Sequence, residues 1–257
     1  MEPTHEIQLP SPFKWIEIPG SRGTMQTNHH AIELAIPTQR YWIAKYPITN
    51  TQFMQFIHAN GYNTEEWWTA AGWQQRTHYD WTEPRFWQDD TWNLADHPVV
   101  GVSWYEAIAY CRWLDNQSME PRPVASGHCR IVLPTEQQWQ YAAQGADGRH
   151  YPWGNQWNSA MCNNNVNRQG VEKTTPVTQF KGKSDSPFGV IDMAGNAWEW
   201  CLTEYSSGNN RVDGVEARVI RGGGWLNNEP DDFYCAERVK MDPTQRTNYR
   251  GFRICLA

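Results

Sequence analysis

The stretch Phe188–Trp200, FGVIDMAGNAWEW, constrains this 257-residue chain more than any other. Val190 and Ile191 read as the end of a strand. Gly195 and Asn196 supply a turn that tolerates positive φ. Trp198 and Trp200 alternate around Glu199, which predicts a resumed strand with both indoles on one face. Glu199 then lies beside the turn, where it can meet Asp192 with turn carbonyls between them. That is an oxygen-rich pocket of the kind calcium uses. The same spacing also suits a plain tight turn with a paired acid.

The chain carries 16 tryptophans, while its apolar content is only 39%. Indoles bury large areas and their N–H groups seek partners, so these residues predict a loop-rich core of large plates and hydrogen bonds. A net charge of −6 with no basic run argues against a nucleic-acid partner. The start, MEPTHEIQLPSPF, does not read as a signal peptide, and no apolar run approaches a membrane span. Six cysteines without CxxC spacing argue against a zinc ribbon and predict mostly reduced thiols in a cytoplasmic protein, with one or two disulfides still open. The histidines, among them His29, His30, His97 and His128, show no metal-ligand spacing.

Three helix starts stand out. Thr49–Gln52, Ser103–Glu106 and Thr135–Gln138 have capping-box spacing ahead of apolar residues at helical period. As an N-cap, Ser103 is committed to the backbone and is a poor nucleophile. Strands are expected at Phe13–Pro19, Ile32–Ile36, Tyr41–Tyr46, Pro176–Phe180, Ala217–Arg221 and Tyr249–Leu256, with Ile32–Ile36 paired to Tyr41–Tyr46. The Trp-rich segment Tyr62–Asn93 reads as irregular chain pinned by aromatics. Strands, then helices, then strands and loops with no internal boundary predict one α+β domain over residues 1–257.

The ordered series YPITNTQF, HPVVGVSWYEAIAYCRWL, LPTEQQWQYAAQG, YPWGN, TTPVTQF, FGVIDMAGNAWEW, RVIRGGGW and GFR resembles the formylglycine-generating enzyme (sulfatase-modifying factor) family from about Trp15 to Ala257. The resemblance implies a C-type-lectin-like fold, loop-rich, with two main helices beside an antiparallel sheet. It implies calcium at Asp192, Gly195, Ala197 and Glu199, and a second calcium at Asn163 and Asn164, where Gln169 replaces the expected acid. Family enzymes oxidise a sulfatase cysteine with oxygen and copper held by two cysteines after a GGSW-like motif. In this sequence Asn227 stands at the first cysteine's place and Asp231 or Asp232 near the second, while Cys235 precedes Ala236-Glu237-Arg238. Copper(I) favours soft thiolates, so no copper is expected. Arg221, Arg238 and Arg253 are read as structural, able to stack on the aromatics or to pair with the acids Asp231, Asp232 and Asp242.

The expectation is therefore a non-catalytic protein that binds a protein or other macromolecule through segment 226–250, with no nucleic acid and no membrane as partner. The surface expected to do so comprises Trp225, Asn227, Asn228, Asp231, Asp232, Phe233, Tyr234, Lys240, Thr247, Asn248 and Tyr249. The segment also resembles that of retroelement-diversified variable proteins of this fold. The alternative is an oxygen-dependent metal oxidase of the family with an altered site. A scaffold or sensor domain detached from a signalling protein is a weaker reading, since neither a P-loop nor a kinase motif set is present.

Overall fold

A computed structural model describes residues 6–27, 32–119 and 129–257. His29, His30 and His128 lie outside them. In chain order the elements are β1 (Glu6–Ile7), β2 (Trp15–Ile18), β3 (Thr24–Gln26), β4 (Glu33–Ala35), β5 (Tyr41–Ala44), α1 (Asn50–His58), α2 (Ala70–His78) and α3 (Trp104–Asn116). Then follow β6 (Ser118–Met119), β7 (Ile131–Val132), α4 (Glu136–Gln144), β8 (Trp198–Glu204), β9 (Arg218–Arg221), β10 (Val239–Met241), β11 (Arg250–Gly251) and β12 (Cys255–Leu256).

All three capping boxes form. Thr49, Ser103 and Thr135 each accept from the backbone N–H three residues on, and Gln52, Glu106 and Gln138 each return a bond to the cap N–H. These caps fix the entry of α1, α3 and α4. Phe53 of α1 then stacks on Tyr110 of α3 at 5.3 Å. The sequence reading missed α2, which starts on Thr69 alone, without a reciprocal glutamate or glutamine, and is polar along most of its length.

Two four-stranded sheets form, in the orders β2-β5-β12-β7 and β10-β9-β8-β11. Several expected strands change. Glu33–Ala35 pairs with β3, whereas β5 pairs with β2 and β12, so the expected partnership between Ile32–Ile36 and Tyr41–Tyr46 is wrong. Pro176–Phe180 forms turns, and Val190-Ile191 is buried without a ladder. The expected strand Tyr249–Leu256 is split. Arg250–Gly251 runs parallel to β8 in one sheet, and Cys255–Leu256 lies antiparallel to β5 and β7 in the other.

The main core lies between α1, α3 and the sheets, and both Trp198 and Trp200 belong to it, as their alternation predicts. Buried indoles find acceptors: Trp200 donates to the Val102 carbonyl, Trp104 to Cys201 and Trp68 to Gly61. A second core packs α4 against the other face, with Trp139, Ala142, Ala143 and Cys201. Among the described residues all six cysteines are free thiols.

Candidate functional site: the Asp192–Glu199 knot and the loop above it

The turn after Asp192 is built by backbone that other residues cannot adopt cheaply. Gly195 sits at φ +81°, and a Cβ there would lie 2.4 Å from the Asn163 carbonyl oxygen. Asn196, at φ 67°, is fully buried. Its amide donates to Asp192 Oδ2 at 2.9 Å and to the Thr175 carbonyl, and its Oδ1 accepts from Thr175 N–H. Oδ1 also accepts from Asn163 Nδ2 at 3.3 Å, so one side chain ties its own turn to the Thr175 and Asn163 loops.

Glu199 points away from the indole face, as β alternation requires, and meets a guanidinium. Arg253 donates to Glu199 Oε2 at 2.6 Å through Nε and to Oε1 at 2.7 Å through Nη2. Trp139 Nε1 donates to Oε2 at 2.7 Å. The remaining Arg253 donors go to the carbonyls of Ala44, Lys45, Ile191 and Asp192. Arg253 is 0% exposed. It lies between the two halves of the divided strand, in the irregular stretch 252–254.

Asp192 is the unbalanced member. It is 2% exposed and its Oδ1 has no hydrogen-bond partner. Burial pushes its carboxyl up to about 7, opposed by the Asn196 bond and Arg253 and assisted by Glu199. The donor types fit a calcium ion: a bare Asp192 oxygen, a remaining lone pair on Glu199 Oε1, and the carbonyls of Gly195 and Ala197. Asp192 is the residue such an ion would neutralise, since Arg253 already serves Glu199. The second set fits poorly. Asn163 and Asn164 spend their amide N–H groups on loop carbonyls, Asn164 Oδ1 accepts from Val166 N–H, and the 270 Å³ cavity beside them, which Gln169 also lines, has no carboxylate.

The expected recognition residues divide into separate groups. Trp225 stacks on Trp92 at 5.4 Å and donates to the Asn248 carbonyl, while its own N–H reaches the Asn196 carbonyl and so rests on the knot. Asn227 Oδ1 accepts from Trp198 Nε1 and from Gly224 N–H, both at 2.9 Å. Tyr249 and Thr247 are half-buried beside them, and the Tyr249 hydroxyl accepts from Arg250 Nη2 at 3.1 Å. Arg250 is 5% exposed, with Nε and Nη1 unpartnered, and burial lowers its pKa. Asp231, Asp232 and Tyr234 form a second group in which Tyr234 meets His150 and Tyr151. Asn228 is exposed at the rim of a cavity shared with Trp157. Lys240 is exposed on β10, opposite Val219.

One expected surface residue is misplaced. Phe233 is 0% exposed and stacks on Trp157 at 5.1 Å, so it is core. The partners expected for the arginines also change. Arg221 and Arg238 both pair with Glu136, at 2.5 and 2.7 Å, and Arg253 pairs with Glu199. Arg250 and Trp92 were not among the expected site residues. Nothing local marks them, because their role depends on segments that meet only in the fold.

Copper does not fit the loop. The residue at the expected first cysteine position is an amide already committed to the fold, and Cys235, the one thiol of the segment, is buried with its pKa pushed up by burial. Burial likewise pushes up the thiols of Cys111, Cys162, Cys201 and Cys255.

Residues 9–257 match the sulfatase-modifying factor enzyme 1-like domain. The chain belongs to this family. It is 28% identical over 267 residues to the formylglycine-generating enzyme of Thermomonospora curvata, covering 83% of this chain and 80% of that enzyme. It is 26% identical over 283 residues to the inactive C-alpha-formylglycine-generating enzyme 2 of Bos taurus, covering 93% and 86%. The serine/threonine-protein kinase pkn1 of Chlamydia caviae is 27% identical over 252 residues, which are 91% of this chain and 35% of the kinase. Among solved structures, Treponema denticola variable protein 1 superposes with a TM-score of 0.67 at 21% identity over 95% of both chains. PvdO from Pseudomonas aeruginosa gives 0.68 at 21% identity, covering 94% and 93%. The fold is thus the C-type-lectin-like, mixed α+β fold of this family.

Proposed function

We propose that this family member is a non-catalytic binding protein whose recognition surface is the loop framed by Gly224 and Arg250. The observation that carries this reading is the Asn227 clasp. An amide that holds Trp198 and Gly224 occupies the place where a formylglycine-generating enzyme is expected to hold its first copper thiolate. Trp225, Asn227, Thr247, Asn248 and Tyr249 form one part of the surface, rimmed by Trp92, and Asn228, Asp231, Asp232 and Tyr234 form another. Rigid framing with polar and aromatic side chains suits recognition of a protein or other macromolecule. Likeness to a variable protein supports diversification of this segment as a finer reading. It is tested by looking beside the coding sequence for a near-identical repeat of its 3′ end and a reverse transcriptase.

The decisive experiment is metal analysis together with oxygen uptake. Purified protein supplied with copper(I) and a cysteine-containing sulfatase peptide is expected to hold no stoichiometric copper and to consume no oxygen with the peptide. Stoichiometric copper or iron with thiol-dependent oxygen consumption would overturn the reading in favour of an altered oxidase. Calcium is proposed at Asp192, Gly195, Ala197 and Glu199 as a structural ion. Six free thiols are consistent with a reducing compartment such as the cytoplasm. Among the described residues no helix is long and apolar enough to cross a membrane.

A further inference from the structure

The cluster beneath Tyr234 has an outer side that the recognition loop does not use. The Tyr151–Gly154 turn is closed by two backbone bonds, of 2.8 and 3.0 Å. It lays Trp153 on Tyr151 at 5.2 Å and 4° between planes. Trp157 lies on Phe233 at 5.1 Å and 25°. The two indoles are 6.1 Å apart and inclined at 52° to each other. Each therefore has one face covered from within, and both are only half-buried.

Their remaining surfaces line a cavity of about 610 Å³, together with Asn155, Gln156, Asn158 and Asn167. No charged residue lines it. A second cavity of about 420 Å³ shares Trp157 and Asn167 and extends to Arg168, Asn228 and Glu229. Asn155 Oδ1 accepts from His150 N–H and Asn158 Oδ1 from Ala160 N–H, which orients both side chains and leaves their NH₂ groups free to donate. Gln156 and Asn167 are exposed amides uncommitted to any side-chain bond among the described residues. The Asn cluster of the sequence thus divides. Asn163, Asn164 and Asn165 turn inward to hold loops, and Asn167 faces out.

We propose that this groove binds a neutral oligosaccharide. A sugar ring offers an apolar C–H face, which suits an indole plate, and a rim of hydroxyls that both donate and accept, which suits primary amides. An anionic ligand would meet no cation in the larger cavity, and in the adjoining one Arg168 is accompanied by Glu229, which carries the same charge as such a ligand. A purely apolar ligand would desolvate four amides without replacing their bonds to water. The volume lies in the roughly 300–1,000 Å³ range of small-ligand sites, and the adjoining cavity gives room for a chain of rings. The larger cavity draws no residue from segment 226–250, and only the adjoining one shares Asn228 with the recognition loop; variants at Gln156 and Trp157 therefore test this proposal separately from that reading.

The test uses the whole chain in calorimetry and in NMR of the indole N–H signals. The probes are cellotetraose, chitotetraose, maltotetraose and mannotetraose, with a heparin-derived tetrasaccharide and decaproline as controls. At least one neutral tetrasaccharide is expected to bind with a Kd of about 1 mM or tighter, shifting the Trp153 and Trp157 signals. Trp157→Ala should abolish binding but also removes packing on Phe233. Gln156→Ala separates the two effects: it should weaken binding roughly fivefold or more through a lost hydrogen bond, with an unchanged Tm. Failure of all four neutral probes to bind, equal binding by Gln156→Ala and Trp157→Ala, or binding of decaproline or the heparin fragment alone overturns the proposal.

Discussion

Replacing Arg253 with methionine tests the knot most directly. The substitution keeps much of the stem volume but leaves the Glu199 carboxylate buried, with only the Trp139 indole as donor and Asp192 close by. Removing one partner of a buried ion pair costs about 3–5 kcal/mol. For a chain of this size, each kcal/mol lowers Tm by about 2–4 °C, so Arg253→Met should lose roughly 6–20 °C. Part of that loss comes from the carbonyls of Ala44, Lys45 and Ile191, which lose their donor whatever Glu199 does. A double-mutant cycle removes this part. Glu199→Gln alone leaves the guanidinium without its anion and should be comparably damaging. Glu199→Gln with Arg253→Met has neither charge, and should be less destabilised than the sum of the singles by about 2 kcal/mol or more. The assay is denaturant unfolding of the four proteins at pH 7.5. If the single effects add to within about 0.5 kcal/mol, the two side chains are not energetically coupled and the account of the knot is wrong.

Asp192 gives a prediction in pH. Its folded pKa is raised to about 7 from an ordinary unfolded carboxylate, so its contribution is fully present below the unfolded pKa and is lost as pH rises toward 7. The stability of the parent relative to Asp192→Asn should fall over that window, and calcium should raise the parent's Tm above pH 7 but not the variant's. Glu136 has the opposite sign. Burial pushes its carboxyl up, but Arg221 and Arg238 outweigh burial and hold it below its usual range. Its contribution is present above the unfolded carboxylate pKa and lost as pH falls through the lowered folded one; at pH 7, Glu136→Gln should cost about 3–5 kcal/mol by leaving two buried guanidinium groups without their anion, read by chemical denaturation. Gly195→Ala should cost about 2–4 kcal/mol in the same measurement, because its Cβ meets a backbone oxygen and its φ is left-handed.

Much of this architecture is legible in the sequence because it is written locally. A capping box spans four positions, and an alternation such as Trp198-Glu199-Trp200 spans three, so both survive inspection one residue at a time. Short strands do not: several ladders here are two or three residues long, too short for a period to declare itself. The charge pairs are hidden from the sequence for a different reason. Glu136 meets Arg221 and Arg238 across 85 and 102 positions, and no spacing rule links residues that far apart. Phe233 sits in a polar, loop-like segment whose mixed composition suits a surface, yet Trp157 buries it. Nothing in the sequence sets Arg250 apart from the recognisable Gly251-Phe252-Arg253 beside it, because its unpartnered Nε and Nη1 exist only in the fold.

The divided C-terminal strand also bears on how the chain is made. β12 lies between β5 and β7, so the first sheet has a gap at its centre until residues 255–256 arrive. Just upstream, Arg253 brings the counter-charge to Glu199, and β11 adds the last strand of the other sheet. A nascent chain still tethered at its growing end holds two incomplete sheets and an unneutralised acid in one core. Neither sheet can close before synthesis has passed this point, and a chain truncated shortly before it would carry α1 to α4 but lack the central strand of one sheet and the Arg253 counter-charge of the other.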